Sequence, residues 1–215
     1  MHDVDRFAGE TVFDRLARAV CAAGCLPRKE LYESWETARR ARRLFRGWRV
    51  VDLGGGHGLL AHVMLILDAS SPSAIVADRH PVPSGPVLHD ALVAVWPHLA
   101  GRVTFQHVAM EDVELASTDV VVSNHACGNL TDVVLERAAS ARARVAVLPC
   151  CHDFKAGDAG NLSGWLDQSL AIDVVRATRL RQRGYRIWTQ TIPGDITPKN
   201  RLLLGEPLPL PGSGL

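Results

Sequence analysis

The sequence lacks several features that would place it in a special class of protein. It has no run of roughly 20 uncharged apolar residues, the length that a membrane-spanning helix needs. The first residues include no basic leader before an apolar stretch, so we expect no secretory signal. The five cysteines have no disulfide-framework spacing, which fits a reducing compartment and predicts a cytoplasmic protein.

The composition is that of an ordinary globular chain. Of 215 residues, 47% are hydrophobic and 22% are charged, which excludes disordered, collagen-like and low-complexity architectures. The net charge of +1 hides two basic segments. Residues 28–49 carry eight Lys or Arg against three Glu, and residues 176–201 carry seven against one Asp. Together these segments could attract a polyanion such as RNA, or they could be solvated helix faces.

The apolar pattern predicts an α/β fold. Two amphipathic helices are expected over residues 10–23 and 28–46, with Pro27 at the start and Gly47 at the end of the second. Short apolar runs then alternate with helix-like stretches, which is typical of a doubly wound parallel sheet. The predicted strands are Arg49–Leu53, Ala74–Ala77, Val103–His107, Asp119–Ser123, Val145–Leu148 and a final, antiparallel pair, Tyr185–Thr191 and Arg201–Leu204. We divide the chain into an N-terminal helical cap (1–47), a main domain (48–206) and a flexible tail (207–215).

A glycine-rich turn follows the first predicted strand. The strand carries Asp52, and glycines follow at positions 54, 56 and 58. Glycines there accept positive φ and expose bare backbone to a ligand, and the next helix begins with free N–H groups. A dinucleotide-binding motif would require glycine at Leu59 instead. An NAD enzyme and an unliganded turn are the alternatives.

This order of residues resembles the first motif of class I S-adenosylmethionine-dependent methyltransferases, which have a seven-stranded Rossmann-like sheet. The resemblance implies that Asp52 helps to hold the methionine ammonium and that Gly54, Gly56 and Gly58 pass beside the sulfonium. Asp78, which ends the second strand, would accept the ribose hydroxyls. The remaining residues that the resemblance assigns to the donor are Met110 and Glu111 after the third strand and Asn124 after the fourth.

Cysteine and histidine follow the fourth and fifth strands, whose carboxyl ends are neighbours in this fold. His125 and Cys127 follow one, and Cys150, Cys151 and His152 follow the other. Either histidine could act as an acid or base, which we favour together with substrate positioning. Cys127 or Cys150 could instead be a nucleophile, or the group could bind zinc or serve packing, and we assign no metal.

Two motifs narrow the resemblance. His-x-Cys-Gly-x-Leu-Thr-Asp, at 125–132, and Pro-Cys-Cys-His, at 149–152, resemble a methyltransferase family typified by eukaryotic tRNA 2′-O-methyltransferases. The segment Ile-Thr-Pro-Lys-Asn at 196–200 is similar to bacterial members, and the likeness spans about residues 48–206. It implies an enzyme that uses S-adenosylmethionine and an RNA acceptor, with tRNA as one candidate. The alternatives are a small-molecule acceptor and a fold that binds without turnover.

Overall fold

The computed structural model describes residues 4–80 and 82–209. In chain order the main elements are α1 (Val12–Ala23), α2 (Arg28–Leu44), β1 (Arg49–Leu53), α3 (Leu59–Leu67), β2 (Ala74–Ala77), α4 (Ser84–Val95), β3 (Val103–Gln106), β4 (Asp119–Ser123), α5 (Leu130–Ala141), β5 (Arg144–Val147), α6 (Gln168–Gln182), β6 (Tyr185–Thr191) and β7 (Arg201–Pro207). Short 3₁₀ helices span Val4–Phe7 and Pro97–Leu99. The first five predicted strands are confirmed to within one residue at each end.

The strands form one seven-stranded sheet in the order β3-β2-β1-β4-β5-β7-β6. Strands β1 to β5 are parallel, whereas β7 runs antiparallel to both β5 and β6. The predicted doubly wound α/β fold and its antiparallel final pair are therefore confirmed. Because the strand order reverses between β1 and β4, a crevice opens outside their carboxyl ends, where such sheets bind ligands.

Alternating side chains of the central strands build a core on each face of the sheet. On β1, Val50 packs into one apolar cluster, while Val51 and Leu53 pack into the other. Helices α1 to α4 contribute to the first cluster, and α5 and α6 contribute to the second. Burial on both faces explains why these strands appear in the sequence as short, nearly continuous apolar runs.

The N-terminal helices pack against the first face of the sheet. A reciprocal capping box between Thr11 and Asp14 begins α1, and Gly24, with φ +64°, ends it. Pro27 precedes α2 as predicted, but α2 ends at Leu44, ahead of Gly47. In the C-terminal half of α2, the Arg40 guanidinium donates to the carbonyl oxygen of Thr191 at 3.1 Å, which ties this helix to the end of β6.

The last strand runs three residues further than the sequence suggests. It continues to Pro207, and the amide of Leu208 donates to the carbonyl of Gly184 at 2.8 Å. Residues 210–215 of the proposed tail lie outside the described residues. Within the described part of the chain, no helix has the length and apolar character to cross a bilayer.

Candidate active site

The glycine turn between β1 and α3 has the backbone conformation that its sequence requires. Gly54, Gly56 and Gly58 have φ values of +68°, +53° and +77°. The amides of Gly54 and Gly55 donate to the carbonyl of Ala77 at 2.8 and 3.2 Å, which ties the turn to β2. A Cβ at Gly56 would meet no atom within 4 Å, so this part of the turn offers open backbone to a ligand.

Asp52 lies beneath the turn rather than in open solvent. It is 2% exposed, and its Oδ2 accepts a hydrogen bond from the amide of Ala61 at 3.3 Å. A Cβ at Gly55 would lie only 2.7 Å from Asp52 Cγ, so the carboxyl group packs directly under the loop. Burial raises the pKa of Asp52 to about 7, and the nearby Asp78 acts in the same direction.

Asp78, at the end of β2, holds the turn from the other side. Its Oδ2 accepts from the amide of Gly56 at 3.1 Å, and its Oδ1 accepts from the amide of His80 at 3.1 Å. The side chain is half-buried, so it keeps a face toward the crevice. A carboxylate that is fixed by backbone donors is well placed to accept a pair of ligand hydroxyls.

A cavity of about 310 Å³ lies at the carboxyl edge of the sheet. Five of the residues singled out from the sequence line it: Gly54, Asp78, Met110, Glu111 and His125. The Met110 methyl group would lie 3.5 Å from a Cβ at Gly54, so any larger residue at position 54 would narrow this cavity. The structure thus places around one cavity the residue predicted to bind the ribose, those predicted to contact the adenine, and one of the predicted acid/base histidines.

Asn124 follows β4 at the same edge. It is 3% exposed, and neither Nδ2 nor Oδ1 of its amide has a hydrogen-bond partner. The preceding Ser123 is fixed by a 2.7 Å hydrogen bond from its hydroxyl to the carbonyl of Leu53. Because buried amides rarely go without partners, the Asn124 side chain is suited to pairing with a bound ligand.

The loops after β4 and β5 bring three thiols together. The Sγ atoms of Cys127 and Cys150 are 3.0 Å apart, and Cys151 completes a group whose sulfur atoms all lie within 4.8 Å of one another. The amide of Gly128 donates to the carbonyl of Cys151 at 3.2 Å, which joins the two loops. Burial raises the pKa of both Cys127 and Cys150 above that of an ordinary thiol.

His152 points away from these thiols. Its imidazole is 1% exposed, and Nε2 lies 2.8 Å from Oδ1 of Asp173 on α6. The Arg201 guanidinium contacts the other carboxylate oxygen of Asp173 at 2.7 Å. Burial acts to raise the pKa of Asp173, but the hydrogen bonds from His152 and Arg201 bring the pKa below its ordinary value.

The Thr131–Asp132 pair at the start of α5 holds the first Cys/His loop in place through hydrogen bonds. Asp132 accepts two hydrogen bonds from the buried Arg176 guanidinium, at 3.0 and 2.7 Å. The same guanidinium donates to the carbonyl of Gly128 at 2.8 Å, and the hydroxyl of Thr131 donates to the carbonyl of Ala126 at 2.5 Å. The sequence pattern marked Asp132, but it did not identify Arg176 as its partner.

The N-terminal end of α2 reaches the glycine turn. His57 Nε2 lies 2.9 Å from Oε2 of Glu30, while the buried Nδ1 of His57 has no partner. The hydrogen bond with His57 lowers the pKa of Glu30 against the opposing effect of burial, and His125 lowers it further. Sequence patterns did not identify Glu30, because its role depends on how α2 docks against the turn.

The two basic segments divide between the two edges of the sheet. Several of their arginines form internal contacts: Arg40 with Glu36, Arg49 with Asp119, Arg176 with Asp132 and Arg201 with Asp173. Arg43 and Arg46 lead into β1, and Arg183 and Arg186 flank the start of β6, so these four lie toward the amino edge. Arg28 and Lys29, at the start of α2, are exposed beside the candidate site, together with Arg79 after β2.

A second, larger cavity of about 650 Å³ lies between α6 and the β6–β7 pair. Its wall includes Pro149, which begins the second cysteine loop, as well as Leu170, Val174, Thr189 and Leu203. Asp173 and Arg201 also border it, so this cavity lies beside the ion-pair network that holds His152. No sequence pattern indicated this space, because it forms between elements that are far apart in the chain.

Comparison with known proteins identifies the kind of domain to which this geometry corresponds. A family model described as a methyltransferase domain matches residues 30–154, which include the glycine turn and both cysteine loops. No curated protein sequence matches the chain at a significant level.

Solved structures show the same fold at low sequence identity. A ribosomal protein L11 methylase from Lactobacillus delbrueckii subsp. bulgaricus is 15% identical, with a TM-score of 0.54, over 81% of this chain and 76% of that chain. An O-methyltransferase from Thermotoga maritima is 12% identical, with a TM-score of 0.56, over 91% and 72%. A precorrin-6y C5,15-methyltransferase from Geobacter metallireducens is 11% identical, with a TM-score of 0.54, over 95% of each chain. At these identities the likeness is one of fold, and the names of these proteins span different acceptors.

Proposed function

The chain belongs to the methyltransferase-domain family and is an S-adenosylmethionine-dependent enzyme, and we propose that its methyl acceptor is RNA, with tRNA as the first candidate. The observation that carries the proposal is the composition of the surface around the donor cavity. Exposed cations and a half-buried histidine lie at the carboxyl edge of the sheet, and the loop that leaves this edge after β5 carries exposed aromatic rings.

The residues around the 310 Å³ cavity fit the donor. S-adenosylmethionine supplies an electrophilic methyl group on a sulfonium. Asp78 would accept the ribose hydroxyls, and Met110 would cover one face of the adenine. Asn124 does not line the cavity itself but precedes His125, which does, and its unpaired amide would gain a partner. The open backbone at Gly56 leaves room for the methionine portion of the donor. We retain Asp52 as support for the loop, acting on the donor through the backbone or through water.

His125 is the proposed acid/base residue. It lines the donor cavity and is half-buried, whereas His152 is enclosed and bonded to Asp173. Imidazole can accept a proton near neutral pH from an acceptor hydroxyl as the methyl group arrives. The raised pKa values of Cys127 and Cys150 make them poor thiolate nucleophiles at neutral pH, so we assign them no covalent step. His152 acts instead as a positioning residue for the loop after β5.

Contacts to RNA would come from α2, the loop after β2 and the loop after β5. Arg28, Lys29 and Arg79 supply exposed positive charge next to the site. Phe154 and Trp165, on the long loop between β5 and α6, are 54% and 90% exposed. Exposed aromatic rings stack on unpaired bases, while arginine and lysine bind phosphates, so the combination suits a single-stranded region of RNA. In this arrangement the N-terminal end of α2, part of the predicted helical cap, borders the acceptor.

The test is methyl transfer from labelled S-adenosylmethionine into total cellular RNA and, in parallel, into a small-metabolite extract. Label in RNA supports the proposal, and label in the metabolite extract alone contradicts it. Trp165→Ala should weaken RNA binding by about 5- to 100-fold, as expected for the loss of one stacked base. The control is Val87→Ala, which truncates an exposed apolar side chain elsewhere, on α4, and should leave RNA binding unchanged. Binding that does not weaken with added salt would contradict phosphate contacts.

A small-molecule acceptor is the second candidate, and the 650 Å³ cavity favours it. Its wall combines apolar side chains, such as Leu170 and Val174, with polar and charged ones, such as Gln190 and Arg201. A mixture of this kind is typical of a pocket for a compact organic molecule. Val174→Trp would fill this cavity from α6. Loss of transfer to a metabolite in that variant, with no transfer to RNA in either protein, would favour the small-molecule acceptor.

A further inference from the structure

Cys127, Cys150 and Cys151 form a compact thiol cluster at the carboxyl edge of the sheet. Within the residues that the structure describes, it is the group of His, Cys, Asp and Glu side chains that comes together closely enough to share a metal ion. All three sulfur atoms lie within 4.8 Å of one another, and the shortest separation, from Cys127 to Cys150, is 3.0 Å. The roles proposed above for the histidines leave these thiols without a function.

The spacing of the three sulfur atoms fits a zinc ion. Thiolates bind Zn²⁺ at about 2.3 Å in a tetrahedron, which places any two sulfur atoms about 3.8 Å apart. The separations in this cluster run from 3.0 Å to less than 4.8 Å, so each needs to change by about 1 Å or less. Cys127 and Cys151 are exposed, so their side chains can make this adjustment and the ion has an open path of entry.

The backbone around the thiol cluster is held in place by contacts that do not involve the thiols. The amide of Gly128 joins the two loops through the carbonyl of Cys151, and the buried Arg176 guanidinium binds the carbonyl of Gly128. The same guanidinium pairs with Asp132 at the start of α5. Loops that are fixed in this way lose little conformational entropy when a metal binds, which favours affinity.

Local charge and ligand number define the kind of site. Three thiolates and one Zn²⁺ carry a net charge of −1. The Lys29 ammonium on α2 favours negative charge at Cys127 to a small extent, since it is also paired with Glu33 at 3.5 Å. Neither His125 nor His152 belongs to the close group, and His152 is bonded to Asp173. Three protein ligands are the number found in zinc sites that leave a fourth position for water or another small ligand.

We propose that Cys127, Cys150 and Cys151 release their thiol protons to solvent as one Zn²⁺ binds and hold it through three thiolates, with a fourth coordination position open to solvent. This site differs from the mixed cysteine–histidine group considered from the sequence, because the His152 side chain is paired with Asp173 on α6. It requires only zinc and the reduced protein, so it does not depend on the identity of the methyl acceptor.

The test uses the full chain, purified under reducing conditions and equilibrated with zinc. Elemental analysis after dialysis should give about one zinc per chain, and Cys127→Ser, Cys150→Ser or Cys151→Ser should each lower zinc affinity at least about tenfold. Cys25→Ser removes a thiol outside the cluster and should leave affinity unchanged. With Co²⁺ in place of zinc, the wild type should show sulfur-to-cobalt charge-transfer absorption that weakens in each cluster variant.

A measurement on the wild type alone guards against misfolded variants. Bound zinc should protect these three thiols, but not Cys25, from alkylation, as read by peptide mass spectrometry. Zinc content near zero in the reduced protein would overturn the proposal. Equal zinc content in a Cys127/Cys150/Cys151 triple serine variant, or alkylation of these thiols that is unaffected by zinc, would overturn it as well.

Discussion

Oδ2 of Asp78 lies 3.1 Å from the amide nitrogen of Gly56 and accepts its hydrogen. The residue that would grip the donor's ribose therefore also fixes the turn over which the donor would lie. If Asp78 binds the sugar as proposed, a single carboxylate would couple the shape of the loop to donor binding, and the turn would be held in place before the donor arrives. Such preorganisation reduces the entropy lost when a ligand binds.

Asp78→Asn tests this coupling. The amide retains one oxygen but loses the negative charge, and hydrogen bonds to charged groups contribute about 1.5–3 kcal/mol. We expect S-adenosylhomocysteine to bind about 10- to 100-fold more weakly, as measured by calorimetric titration. Asp90→Asn, at an exposed position on α4, is the matched control and should bind normally. Equal affinity in the two variants would show that Asp78 does not contact the donor.

Gly58→Ala tests the backbone of the turn. Gly58 has φ +77°, and an added Cβ would lie 2.7 Å from Cγ2 of Val76. Left-handed strain and this clash together should reduce the free energy of unfolding by about 1–3 kcal/mol, as measured by urea denaturation. Gly164→Ala serves as the control, because a Cβ there meets no atom within 4 Å. A similar loss of stability in both variants would contradict the explanation.

Asp132→Asn tests the ion pair that holds the first cysteine loop. The Arg176 side chain is only 2% exposed, so weakening its partner leaves a buried charge less well compensated. We expect unfolding free energy to fall by about 1–3 kcal/mol, because charge-assisted hydrogen bonds are lost.

Asp158→Asn makes the same chemical change at the exposed pair with Arg179, where both side chains are at least half exposed. The expected loss there is below about 1 kcal/mol. If Asp132→Asn were no more destabilising than Asp158→Asn, the Asp132–Arg176 pair would not be a structural anchor.

Asp52→Asn should change how stability depends on pH. Because burial raises the pKa of Asp52 to about 7, the folded protein keeps this proton between about pH 4 and 7, whereas the unfolded chain releases it. The contribution of Asp52 to stability is therefore present in acid and is lost as the pH rises to 7, with a slope of at most about 1.4 kcal/mol per pH unit.

The measurement is urea denaturation of the wild type and Asp52→Asn at pH 5 and pH 8 without ligand. Relative to the variant, the wild type should be less stable at pH 8 than at pH 5. Asp90→Asn is the control and should show the same pH dependence as the wild type. A pH-independent difference between wild type and Asp52→Asn would mean that Asp52 is already ionised at pH 5.

The sheet was predictable because its strands are short and buried on both faces. Each apolar run, such as Arg49–Leu53, could therefore be located almost to the residue. The glycine turn was predictable for a similar reason, since its three left-handed positions all require glycine. The strand order then brings Asp78 and His125 to one cavity.

The side-chain partners could not be predicted in the same way. Asp132 pairs with Arg176, which is 44 residues away along the chain, and Asp173 pairs with Arg201, which is 28 residues away. Such pairs depend on how α6 packs against the sheet, and no local pattern records that packing. The same is true of His152. Its position next to Cys150 and Cys151 in the sequence suggested that it would group with the thiols, but in the fold it is hydrogen-bonded to Asp173.

The last strand is inserted between two earlier ones. Because β7 pairs with β5 on one side and β6 on the other, β6 has no connection to the rest of the sheet until residues 201–207 are in place. During translation, β6 therefore has no strand to pair with until β7 is made, whereas β1 to β5 can already associate. A premature stop a few codons before Arg201 would leave an exposed strand edge, which invites aggregation. The wall of the 650 Å³ cavity is thus among the last parts of the molecule to be completed.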